Sequence, residues 1–86
     1  MKIIWTLNTI KFKIIENFIY LLWYIKKSQE GSHVKYVLNW KILIIPKHKE
    51  IARWTLNNIF KILSFHLWKD KDFIQEQFLN YIKKKK

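Results

Sequence analysis

The residue types able to do chemistry are few in this chain, and their spacing is unhelpful to most reactions. His33, His48 and His66 stand in three separate turn-like stretches, with no carboxylate placed to complete a zinc pattern. Gly31 is the only glycine, which excludes a glycine-rich loop cradling phosphate. Ser28, Ser32 and Ser64 lack a nucleophile-elbow context, and no two of the six acidic residues are spaced for acid–base work. These absences predict a protein that is not an enzyme, with no metal, no cofactor and no small-molecule substrate. Basic residues beside aromatics are frequent instead: Lys35-Tyr36, Trp40-Lys41, Arg53-Trp54 and Trp68-Lys69. Each such pair offers a cation for phosphate and a ring for an unpaired base. The candidate RNA-binding residues are therefore Lys35, Lys41, Lys47, His48, Lys49, Arg53 and Trp54, with the terminal run Lys83, Lys84, Lys85 and Lys86. Trp40, lying in a strand-like run, is expected in the core.

Charge supports that reading. Seventeen Lys and Arg against six acidic residues give a formal charge of +11, an excess that suits a polyanion. Half of the residues are hydrophobic and five are Trp, so the chain is no disordered basic tail. With 86 residues and no cysteine it forms one small domain, 1–86, held by packing alone and completed by partners. Lys, Ile, Asn, Phe and Tyr make up over half the chain, which points to an A/T-rich genome. Five Trp in such a chain suggest a code in which UGA also means Trp, as in many mitochondria and in mollicutes.

The elements that must position these residues follow from periodicity. Lys2 to Ile10 reads as a central strand, and Phe12 to Lys27 as a helix with Ile14, Ile15, Phe18, Leu21, Leu22 and Ile25 on one stripe. The outer side of that helix carries Glu16, Tyr20, Trp23, Tyr24 and Lys27, and the aromatics Tyr20, Trp23 and Tyr24 form a protein-partner face. Gly31 closes the helix. Val34 to Ile45 alternates as one strand, with Tyr36, Leu38, Trp40, Ile42 and Ile44 on one side. Pro46 to Glu50 forms a basic tip, and Ile51 to Phe65 returns as the second arm of a hairpin over 34–65; a helical stripe through Ile51, Thr55, Ile59, Ile62 and Leu63 is the alternative for that arm. Asp72 and Gln75 open a final helix bearing Ile74, Phe78, Tyr81 and Ile82, which ends in the basic tail 83–86. No signal peptide or membrane span is expected, because Lys11, Lys13, Glu16 and Asn17 interrupt the apolar start.

Read in order, several of these words resemble ribosomal protein S-ten of the small subunit in a divergent mitochondrial form. Lys2-Ile3, Leu7, Ile15-Glu16 and Lys27 match its opening strand and helix, and Pro46-Lys47 its hairpin tip. Trp54-Thr55-Leu56 matches its return strand; Ser64, His66, Lys69, Asp70 and Glu76-Gln77-Phe78 match its closing run. The resemblance implies an α+β, ferredoxin-like β-α-β-β-α module with a long β-hairpin and its closing strand lost or frayed. It also implies a structural component of the mitochondrial small subunit, in the matrix, holding ribosomal RNA and neighbouring ribosomal proteins. A second reading is a small accessory subunit of an inner-membrane respiratory complex.

Overall fold

A computed structural model describes residues 9–85, so the strand expected from Lys2 lies, apart from Thr9 and Ile10, outside the described residues. Thr9–Lys11 forms a short strand, β1, that runs directly into helix α1, Phe12–Leu21. Phe12, Ile15, Phe18 and Ile19 recur at helical spacing and are buried, so of the expected stripe Ile15 and Phe18 face the core while Leu21 and Ile25 are exposed, and Glu16, expected on the outer side, is buried with them. The helix ends six residues before Lys27. Trp23 takes a left-handed φ of 76° and Tyr24 donates back to the Ile19 carbonyl, turning the chain into a strand.

That strand, β2 (Ile25–Glu30), pairs antiparallel with β3 (His33–Leu38), which pairs with β4 (Lys41–Pro46). Every residue of β2 is exposed, so it has no buried alternation to announce it. Its lysines and the register shift between Lys26 and Ser28 are devices that protect an open sheet edge from further pairing. Gly31, at φ +59°, occupies the first position of the two-residue β2–β3 turn rather than a helix cap, as a II′ turn requires.

The single strand expected over Val34–Ile45 is in fact two strands. Asn39 (φ 59°) and Trp40 make a two-residue turn between the paired Leu38 and Lys41. Because Val34 faces Ile45 and Tyr36 faces Leu43, the side-chain alternation changes parity across the turn. Val34, Tyr36, Leu43 and Ile45 are buried, whereas Ile42 and Ile44, read as companions of Tyr36, point outward at about half exposure.

The chain then forms β5 (Glu50–Ala52), antiparallel to β1, and α2 (Arg53–Leu67). The second hairpin arm is thus a helix. Leu56, Ile59, Phe60 and Leu63 recur at i, i+3, i+4 and i+7 and are buried, and that periodicity outweighs the β-leaning composition of the run. Trp68 caps α2 in a left-handed conformation, and α3 (Lys71–Lys85) follows. Ile74 and Phe78 are buried and Tyr81 and Ile82 half-buried, as their spacing predicts. Phe78 meets Phe18 of α1 edge-on at 5.0 Å and Phe60 of α2 at 5.3 Å, so the three helices join around one ring.

The fold is therefore α+β with antiparallel sheets. α1 reaches the inner face of the β2–β3–β4 sheet through Glu16 and Tyr36, and α2 through contacts with β4. The basic stretch at 47–49 is no distant tip. It is a loop between β4 and β5, where the Lys47 amide donates to the Ser32 carbonyl at 2.5 Å and lies against the β2–β3 turn.

Candidate functional site on the outer sheet face

The inward side of β3 is pinned by Tyr36, whose hydroxyl donates to the buried Glu16 carboxylate. Alternation then forces His33 and Lys35 outward. Cross-strand pairing sets Glu30 opposite His33 and Ser28 opposite Lys35, with Ile44 on the other side of Lys35. These five side chains line a shallow cleft of about 180 Å³. His33 is the first residue of its strand, delivered there by the Gly31–Ser32 turn, and it is exposed. Pro46 is its partner on β4, so the loop carrying Lys47, His48 and Lys49 leaves the sheet at the same end.

The structure thus sets Lys35 in one cleft with an exposed imidazole that sequence reasoning left without a role, and brings the loop of Lys47, His48 and Lys49 off the sheet at the same end. The signal was present. A lone glycine two residues before a histidine, followed by alternating Val34, Lys35 and Tyr36, specifies a tight turn with His33 and Lys35 on one open face. An imidazole can accept a proton in one step and return it in the next, and neighbouring ammonium groups favour a phosphate beside it.

Other candidates lie elsewhere. Lys41 points to the helix side, where its ammonium donates to the His66 carbonyl at 2.6 Å at the end of α2. Arg53 and Trp54 open α2, with Trp54 exposed. Lys83 and Lys84 are exposed on α3, and Lys86 lies outside the described residues. Of the expected partner face, Tyr20 and Trp23 are exposed, but Tyr24 is buried, because its hydroxyl binds His66 Nδ1 at 2.7 Å. Trp40, expected in the core, is instead 82 % exposed, since it falls in the turn.

Buried polar groups hold this frame. Burial alone would raise the Glu16 carboxyl; hydrogen bonds from Tyr36 (2.8 Å), Lys13 (3.3 Å) and Tyr20 (3.2 Å) outweigh it and hold the group below its ordinary value. Tyr36 is pushed up, first by burial and then by that carboxylate. Burial pushes Tyr24 up to about 12 and, together with the Lys41 charge, lowers His66, although a helix C-terminus favours a cation. The Tyr24 hydroxyl and His66 Nδ1 share one hydrogen bond, which a neutral ring can make with either partner donating.

The chain is thus a small, strongly basic α+β module with an imidazole and a lysine on an open sheet face, a charge pattern that suits a polyanion. A family model described as HicA toxin of bacterial toxin–antitoxin matches residues 14–64, more than half of the chain, and the chain belongs to that family. No curated protein and no solved structure matches it.

Membership corrects several expectations. The chain is not of the ribosomal S-ten family, nor a component of a mitochondrial ribosome or of a respiratory complex. The short words shared with the ribosomal family follow similar order without similar structure: Trp54-Thr55-Leu56 opens a helix where a return strand was implied. A bacterial family removes the mitochondrial location, ribosomal RNA and the neighbouring ribosomal proteins as partners, and leaves the reassigned-UGA argument only its mollicute branch. The expectation that the chain is not an enzyme also falls, since toxins of this family are mRNA-cleaving endoribonucleases. Among the described residues no helix is long and apolar enough to cross a membrane.

Proposed function

We propose that this protein is an mRNA-cleaving toxin whose reaction is centred on His33. The observation that carries the reading is the placement of His33 in the cleft with Lys35, Ser28 and Glu30, beside the loop of Lys47, His48 and Lys49. RNA carries its own nucleophile. His33 takes the proton of a ribose 2′-hydroxyl as that oxygen attacks the adjacent phosphorus, and the bond from phosphorus to the 5′-oxygen breaks. The products are a 2′,3′-cyclic phosphate and a 5′-hydroxyl, the leaving oxygen receiving a proton from the imidazolium or from water. Lys35 and Lys47 stabilise the charge that gathers on the phosphate oxygens. The opposing partner is an antitoxin, as the family implies, and it neutralises the toxin by occupying this basic face.

The test is His33→Ala in the full chain, assayed on single-stranded RNA with analysis of the product ends. Cleavage is expected to fall by about a hundredfold or more. The urea midpoint should hold, because His33 is exposed and contributes little packing. Undiminished cleavage by the variant, or cleavage that leaves 5′-phosphate ends, overturns the assignment.

A further inference from the structure

At the opposite end of the same strands the surface opens into a groove of about 940 Å³, framed by Trp40, Phe65 and Trp68 with Lys41, His66 and Lys69 between them. The three rings are 82 %, 83 % and 88 % exposed, so none repays its apolar area by burial. Trp68 is stranger still. It occupies the left-handed cap of α2, at φ 59°, where glycine or asparagine is usual, and its ring gains no packing there. A strained backbone that presents an unburied ring has its explanation in what the ring meets.

Cations outnumber the one acid, Asp70, along the groove: Lys41 stands 5.9 Å from the Trp40 ring centre, and Lys69, whose ammonium lies 5.5 Å from the Phe73 ring centre, follows Trp68 directly. The groove and the His33 cleft meet the same strand face at neighbouring outward positions. Ile42 lines the one and Ile44 the other, both on the outward face of β4. From His33 to Leu38, next to Trp40, the strand spans roughly 17 Å.

We propose that this groove stacks unpaired bases of single-stranded RNA, so that a strand whose phosphate lies at His33 continues along the sheet face to Trp40, Phe65 and Trp68. The inference rests on the reading of the chain as an RNA-cleaving toxin and adds what it selects: unpaired, base-bearing RNA. Rings spaced by cations in a chain of charge +11 complement a polyanion with flat faces. A groove for an apolar peptide would be lined by aliphatic side chains, and among the described residues that line this one Ile42 alone is aliphatic.

The experiment uses the full chain carrying His33→Ala, titrated with a short oligoadenylate and with an abasic ribose-phosphate strand of the same length. Tryptophan emission and affinity are followed together. Oligoadenylate is expected to quench the emission. Adding Trp40→Ala and Trp68→Ala should weaken oligoadenylate binding about tenfold or more while moving abasic binding by less than about twofold, and Trp40→Phe with Trp68→Phe should restore most of the loss. Far-ultraviolet dichroism confirms that the variants fold, and the Phe pair keeps the test decisive if the Ala pair does not. Equal losses on both strands, or unchanged oligoadenylate affinity, overturn the proposal. Loss of antitoxin binding with oligoadenylate affinity intact also overturns it, since the groove is then a protein interface. Base-dependent quenching in a chain whose His33 proves dispensable supports the groove and removes only the catalytic reading.

Discussion

The Tyr36 hydroxyl stands 2.8 Å from Glu16 Oε2 and donates to it, joining β3 to α1 in the interior. With both residues buried, this bond fixes which side of β3 turns inward, and so which side presents His33 and Lys35. Tyr36→Phe leaves the carboxylate with Tyr20 and Lys13 alone, and should cost about 1–3 kcal/mol in urea unfolding near neutral pH. A variant as stable as the wild type would show that the bond does not hold the register.

The same carboxylate sets an acid limb. Held below the ordinary 4.5, Glu16 binds fewer protons folded than unfolded. Its contribution is present above the unfolded value and is lost as pH falls through the folded one. The stability gap between wild type and Tyr36→Phe should therefore narrow below about pH 4. Urea midpoints across that range check it, and a gap that widens on acidification contradicts the assignment.

His66 and Tyr24 supply a second, milder dependence. The folded value of His66 lies below 6.5, so the neutral ring is the folded form, and its contribution is complete above the unfolded value and falls as pH drops through the folded one. Tyr24→Phe removes the hydrogen-bond partner of Nδ1 and should cost about 0.5–1.5 kcal/mol at neutral pH. The His66 ring proton resonance should titrate below 6.5 in the wild type, and a midpoint at or above that value counts against a ring held neutral by partial burial.

Gly31 is constrained by its backbone and not by space. It sits at φ +59°, and a side-chain carbon built there meets nothing within 4 Å. Gly31→Ala should cost about 1 kcal/mol, from the left-handed conformation alone, and Gly31→Asn less. Equal costs for both, measured by thermal melts, would mean that the turn had changed type.

How much of this was readable in the chain depends on where information is carried by pattern. Apolar residues at helical spacing announce α1 and α3, with Ile74 and Phe78 buried as expected, but in α1 the expected stripe ran too far: Ile15 and Phe18 are buried while Leu21 and Ile25 are exposed, because the helix ends at Leu21. The exposed β2, Ile25–Glu30, has no buried face to repeat, and its pairing with β3 is visible only in space. Asn39 and Trp40 hid a turn inside an apparently continuous alternation, since neither Gly nor Pro marks it. In the stretch from Ile51 to Phe65 two periodicities competed, and burial of Leu56, Ile59, Phe60 and Leu63 decides for the helix. The excess of basic and aromatic residues is plain in the sequence, but only the folded chain shows that the 47–49 loop leaves the sheet at the end where His33 stands, with Lys35 pointing outward two residues along β3. Catalysis was missed for a chemical reason: the search was for convergent protein groups, whereas in RNA cleavage the substrate provides the nucleophile, and one well-placed imidazole needs little company.

The remaining prediction separates the lysines beside the cleft from those at the chain's end. Lys35 lies in the cleft itself, and the Lys47 backbone is held at the β2–β3 turn by the hydrogen bond from its amide to the Ser32 carbonyl, so these two are the lysines tested for a phosphate next to His33. Lys83 and Lys84 are on α3, which packs on α1 and α2 behind the sheet's inner face. Each phosphate contact made with a single strand adds about 0.7 to the slope of log affinity against log salt. Lys35→Ala with Lys47→Ala should accordingly flatten that slope by about 1.4, whereas Lys83→Ala with Lys84→Ala should leave it within about 0.3. The measurement is RNA binding by the His33→Ala chain across a salt series. If the α3 pair changes the slope as much as the cleft pair does, the strand runs over the helices as well, and the outer sheet face is only part of its path.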